Sequence, residues 1–125
     1  GTGNKVEDFG VGFFTKYGDG GVDLSPIADL MKSEVFAIAN ELGIVDSIQF
    51  ATPTDGLWAD GRSDEDQLGA SYDELEWAMK EYCVSTENNF EGRQEEVFSI
   101  YTKLHQSNLH KMQSIPVCLI PENLK

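Results

Sequence analysis

The sequence predicts a mainly α-helical segment with one or two short strands, on three observations. Apolar residues recur at helical intervals in four stretches, and capping residues stand at several of their starts. The remaining apolar runs, residues 44–51 and the stretch between Pro116 and Pro121, are too brief for helices and read as extended connections, the second an edge strand at best.

In chain order, the first element comes from "GTGNKVEDFGVGFFTKYGDGG". Here "GTG" reads as a strand tail turning into a loop, and Val6, Phe9, Phe13 and Phe14 then fall at helical spacing. Asn4 is the N-cap, and Glu7 and Asp8 sit in the dipole-favoured first turn. Seven of the twelve glycines lie in the first twenty-one positions. Gly10 and Gly12 each cost a helix about 1 kcal/mol relative to Ala, which close backbone packing or a close ligand must offset. Aromatic residues this dense are there to be buried or to contact something, so the stretch reads as part of a site.

Ser25 and Pro26 form an N-cap and first-position pair for the securest helix, with Ile27, Leu30, Met31, Val35, Ile38, Ala39 and Leu42 as its stripe and Gly43 as its stop. Residues 51–67, "ATPTDGLWADGRSDEDQ", lack periodicity, and loops this long in compact domains are commonly functional or disordered. Ser71 and Glu74 form a capping box ahead of Leu75, Ala78, Met79, Tyr82 and Cys83. After a polar break, Val97, Ile100, Tyr101 and Leu104 mark the last helix.

The chain of 125 residues is one domain's worth, and its formal net charge of −13 argues against nucleic acid or an anionic membrane as partner. No apolar run approaches the roughly 20 residues that span a bilayer, and no signal peptide stands at the front, so a cytoplasmic setting is the default expectation. Cys83 and Cys118 lack metal-ligand spacing and read as reduced, buried side chains. An anionic small-molecule ligand remains compatible with the charge if a few placed lysines, backbone N–H groups or a cation meet it.

Local context assigns the polar residues modest roles. Lys16, beside "YGDGG", is either a ligand contact or a solvated helix-end lysine, and Lys32 reads as a surface lysine off the apolar stripe. Glu7 is a dipole partner, Asp19 and Asp23 are turn formers, and Asp64, Glu65 and Asp66 begin a helix. His105 and His110 are five apart, which is not the spacing of zinc ligands on one helix face. No GxSxG, HExxH or GxxxxGK[ST] occurs, so hydrolase and phosphate-loop readings have no support.

Five motifs in register, "GTGNKVED", "GFFTKYGDGGVD", "SPIADLMKSEV", "ATPTDGLW" and "DEDQLGASYDELE", resemble the C-terminal half of NAD synthetase, of the ammonia-dependent type or as the synthetase domain of a glutamine-dependent one. The resemblance is specific over residues 1–77 and continues more weakly to "LHKMQSIP". It implies an α/β parent fold of the ATP-pyrophosphatase type, a parallel sheet with helices on both faces, and a homodimer. It also implies amidation of deamido-NAD: ATP adenylates the nicotinate carboxylate, and ammonia displaces AMP.

By the same resemblance, Thr2, Lys32 and Thr54 look like ATP contacts and Glu7 like the magnesium ligand. Lys16, Asp23, His110 and Lys111 look like deamido-NAD contacts, and residues 51–69 like a lid that orders over ATP. The departure is the family's SGGxDS pyrophosphate loop, which is not in these 125 residues. Residues 1–125 are therefore expected to be the C-terminal half of one synthetase domain, inactive alone and exposing apolar surface. The alternative is a non-catalytic nucleotide-binding or dimerisation module derived from the same fold.

Overall fold

The computed structural model describes residues 3–84 and 89–125. It is mainly helical, as expected. A π-helix, Lys5–Val11, is followed by α1 (Lys32–Glu41), α2 (Asp46–Gln49), α3 (Asp64–Leu68), α4 (Tyr72–Val84) and α5 (Arg93–Met112), with a final 3₁₀ turn at Glu122–Leu124. No strand occurs among the described residues. The 44–51 connection holds the short α2, and residues 113–121 run without a ladder partner. Gly1 and Thr2, read as a strand tail, lie outside the described residues.

The π-helix lies at the centre, packed against α1, α4 and α5. Asn4 caps it as expected, its side chain accepting from the Glu7 N–H at 3.1 Å. A β-carbon on Gly10 would stand 3.3 Å from the Tyr101 ring and 3.4 Å from the Met79 sulfur. Gly12 ends the helix at φ +67°, and a β-carbon there would fall 2.5 Å from Cβ of Asn108. Close packing of backbone against α4 and α5 therefore offsets the cost of both glycines. The wider π turn is an arrangement recurrent at functional sites.

The capping box at Ser71 and Glu74 starts α4, with the Ser71 N–H 2.9 Å from the Glu74 carboxylate. Val6, Val11, Leu68, Ala70, Tyr72, Leu75, Ala78, Val97 and Tyr101 form the core, so the stripe of α5 and the first part of the α4 stripe face inward as their spacing predicts, while Tyr82 and Cys83 at the end of α4 are exposed.

Two expectations need correction. The securest helix begins not at Ser25 but at Lys32, because Leu30 gives its carbonyl to the Lys5 N–H (2.8 Å) and residues 25–30 close into i→i+3 turns instead. Its apolar stripe is not core: α1 has no buried residue, and Leu42 is 72 % exposed. Exposed apolar side chains continue through Val45, Ile48 and Phe50. Both cysteines are free, but they are exposed rather than buried: Cys83 lies in α4's last turn and Cys118 in the unladdered tail.

Candidate functional site

Lys32 is delivered to the π-helix by α4. Glu76, a buried carboxylate on α4, accepts the Ser33 N–H at 2.8 Å and the Ser33 hydroxyl at 2.7 Å. A carboxylate at the start of α1 satisfies one of that helix's orphan donors and favours its dipole, which compensates the cost of burying it. With α1 gripped one residue further on, Lys32 donates to Glu7 at 2.9 Å, and about four-fifths of each side chain is covered.

Around this pair stand residues whose site role the sequence did not disclose. The Asn4 side-chain amide donates to the same Glu7 oxygen at 2.6 Å. The Lys32 ammonium sits 4.7 Å from the centre of the Tyr72 ring. The Tyr72 hydroxyl donates to Asp64 at 3.2 Å, and both residues are buried. Burial pushes the Asp64 carboxyl up, against the opposing hydrogen bond from Tyr72, and burial likewise raises the Tyr72 phenol. The other Asp64 oxygen, Oδ1, is buried with no hydrogen-bond partner among the described residues. Burial also raises Asp8, next to Glu7, to about 6.

Glu7 fits one part of a magnesium site. Mg²⁺ commonly takes one or two protein carboxylates and completes its shell with water and phosphate oxygens, so a single placed carboxylate matches that use. Among the described residues no group of three or more His, Cys, Asp or Glu could enclose a metal alone.

A second group forms where the end of the π-helix meets α5. His105 Nδ1 lies 2.7 Å from the Gly10 carbonyl, the Asn108 amide donates to Val11 O at 2.9 Å, and Lys111 donates to Gly12 O and Phe14 O, both at 2.8 Å. Residues three apart share a helix face, so one side of α5 meets successive carbonyls that the ending π-helix leaves unpaired. Lys16 reaches the same turn and donates to the His110 carbonyl. Beside them opens a cleft of about 480 Å³ with Phe14, Asp19, Asp55 and Lys111 in its walls, within the usual size of a small-ligand site.

The structure thus brings Glu7 to Lys32, and Lys16 to the His110–Lys111 turn. Asp23 and Thr54 are exposed and join neither group among the described residues, and Thr2 lies outside the described residues. Thr54 is nonetheless next to Pro53, whose carbonyl accepts the Asp64 N–H at 3.0 Å. That bond fastens the start of the 51–63 loop beside the Lys32 group. Asp55, held by Gln67 at 3.2 Å, reaches from the loop into the cleft wall.

Comparison with known proteins bears on the family. The chain is 41% identical over 121 residues to the NH(3)-dependent NAD(+) synthetase of Methanococcoides burtonii, covering 89% of this chain and 43% of that protein. It is 41% identical over 124 residues to the enzyme of the same name from Archaeoglobus fulgidus, covering 99% of this chain and 47% of that one. Among solved structures, NMN synthetase from Francisella tularensis superposes with a TM-score of 0.73 at 30% identity, over 98% of this chain and 45% of that chain. The chain thus spans a little under half the length of these relatives. The sequence profile of the family described as NAD synthase matches residues 1–115, and the chain belongs to that family.

Proposed function

We propose that these residues supply the C-terminal part of the site of a cytoplasmic, homodimeric NAD synthetase that uses ATP and ammonia to amidate deamido-NAD through an adenylate. The observation that carries the reading is the Glu7–Lys32 pair. It joins the expected magnesium ligand to an expected ATP contact across 25 residues of sequence, in a largely covered group beside the loop that carries Thr54.

In this reading Lys32, with Thr2 and Thr54, binds ATP. Its ammonium, steadied by Glu7 and by the Tyr72 ring, offers a fixed positive charge to a phosphate in a protein whose net charge would otherwise repel it. Glu7 holds Mg²⁺, which when bound supplies further charge neutralisation at the phosphates. Lys16, Asp23, His110 and Lys111 bind deamido-NAD around the cleft. The carbonyls that now hold Lys16 and Lys111 set where their ammonium groups stand. Residues 51–69 close over ATP and exclude water from the adenylate. With the relatives about twice as long, residues 1–125 do not catalyse by themselves.

The test is NAD formation from deamido-NAD, ATP and ammonia by the protein produced from its whole reading frame. Lys32→Ala is expected to lose about 3 kcal/mol of transition-state stabilisation, on the order of a hundredfold in rate. A change below about threefold would remove Lys32 from the reading, and no NAD from the unaltered protein would overturn the function itself.

A further inference from the structure

Asp64 and Tyr72 are buried beside Lys32, the expected binding roles assign them nothing, and unlike Asn4 and Glu76 their side chains neither hold Glu7 at a cap nor grip the start of α1. Both are more than nine-tenths buried, and the sequence offers each a purely local explanation. Asp64 opens α3, which is already capped by Ser63 and Asp66: the Ser63 N–H lies 2.9 Å from the Asp66 carboxylate and the Asp66 N–H 3.1 Å from the Ser63 hydroxyl. The cap therefore does not need the Asp64 side chain. Tyr72 opens α4, which Ser71 and Glu74 cap without help from its hydroxyl. A Phe at 72 and an apolar residue at 64 would fill the same core space and avoid burying a carboxylate. The two polar groups are left to be explained by what they touch.

What they touch is a chain of alternating charge. The Asp64 carboxylate accepts the Tyr72 hydroxyl, the Tyr72 ring lies against the Lys32 ammonium, and the ammonium meets the Glu7 carboxylate. A phenol that donates to a carboxylate becomes more electron-rich, and its ring face attracts a cation more strongly. Lys has a flexible four-carbon stem, so a second support besides Glu7 fixes its direction. Asp64 is also tied to the loop through its backbone N–H on the Pro53 carbonyl.

We propose that Asp64 is a positioning residue that acts through the Tyr72 hydroxyl to hold the Lys32 ammonium, and so couples the 51–63 loop to the nucleotide contact. This rests on the proposed function only for its catalytic consequence, since the placement of Lys32 is a property of the fold. Loop movement that draws Asp64 away from Tyr72 weakens the ring's hold and frees Lys32. A settled loop restores it, so the lysine is presented when the loop is in place.

The test uses the protein from its whole reading frame, with Asp64→Asn, Tyr72→Phe and the double variant. All keep the size of the side chain, and circular dichroism checks that each is folded. The first measurement is acetylation of Lys32 by a dilute amine reagent, read by mass spectrometry against the exposed Lys103 as internal reference. The expected result is a rise of about threefold or more at Lys32 alone in each single variant, with no further rise in the double variant. The second is steady-state kinetics, in which KM for ATP rises about fivefold in the same variants while KM for deamido-NAD stays unchanged.

Unchanged labelling at Lys32 overturns the proposal whatever the kinetics show. A rise shared equally by Lys32 and Lys103 also overturns it, because that is general loosening, and so do effects that add in the double variant. A protein that makes no NAD yet shows the selective rise at Lys32 supports the positioning chain and overturns the functional reading instead.

Discussion

The Lys111 ammonium lies 2.8 Å from the Gly12 carbonyl oxygen and donates to it, while holding the Phe14 carbonyl at the same distance. One residue from the last turn of α5 thereby closes the turn that ends the π-helix. A residue expected to contact a ligand is at the same time part of the frame.

Lys111→Met keeps most of the aliphatic stem but removes both bonds, leaving two half-buried carbonyls without a charged donor. It is expected to lower stability by about 2 kcal/mol, measured as a shift in urea midpoint. Lys111→Arg should lose less. A Met variant as stable as the parent would show that the two bonds are replaced by water at no cost.

Gly12 and Gly43 share nearly the same backbone, φ +67° and +66°, but not the same surroundings. At Gly43 a β-carbon meets nothing within 4 Å, so Gly43→Ala should cost only the left-handed penalty, about 1 kcal/mol. Gly12→Ala adds a collision with Asn108 and should cost about 3 kcal/mol. Equal losses in parallel denaturation curves would mean that α5 yields freely.

Arg93 joins the starts of α4 and α5, donating to both Glu74 oxygens at 2.8 Å. Its side chain, and then the Ser71 backbone, hold the Glu74 carboxyl down at about 2. A carboxyl that is more acidic in the folded chain contributes stability above its unfolded value, about 4.5, and loses it as pH falls toward about 2. Because the pair is partly exposed, Glu74→Gln should cost about 0.5–1 kcal/mol at pH 7. That difference should shrink to nothing as unfolding is measured near pH 2. A cost that persists there would belong to the cap rather than to the charge.

Arg62 lies on the exposed loop, ion-paired with Asp60 and stacked 4.6 Å from the Trp58 ring. If residues 51–69 close over ATP, trypsin should cut after Arg62 about fivefold more slowly once ATP and Mg²⁺ are added. Unchanged cleavage would refute the lid.

What the sequence disclosed was what neighbours in sequence decide. The Asn4 cap, the Ser71–Glu74 box and the inward stripe of Val97 and Tyr101 depend on contacts within a few residues or on simple periodicity. The misplaced start of α1 shows the limit. Ser25 and Pro26 are sound local signals, but Glu76, 43 residues on from Ser33, and the Lys5 N–H decide where the helix begins. The stripe of α1 was legible as apolar, although nothing in its spacing says whether it faces the core. The same limit hid Asp64 and Tyr72 from the site. Each stands at the start of a helix, where a polar residue draws no notice, and only the fold sets the Tyr72 ring against Lys32 and its hydroxyl against Asp64.

The ladder from α5 to the π-helix has a consequence in time. Its bonds join residues separated by 95 to 99 positions, so the opening glycine-rich segment has none of these partners until almost the whole of α5 exists. At the pace of synthesis, about 5–20 residues per second, that is a wait of several seconds for a stretch whose glycines give it little helical preference of its own. The glycine-rich segment is thus made well before it can settle, and its turn closes only as α5 arrives.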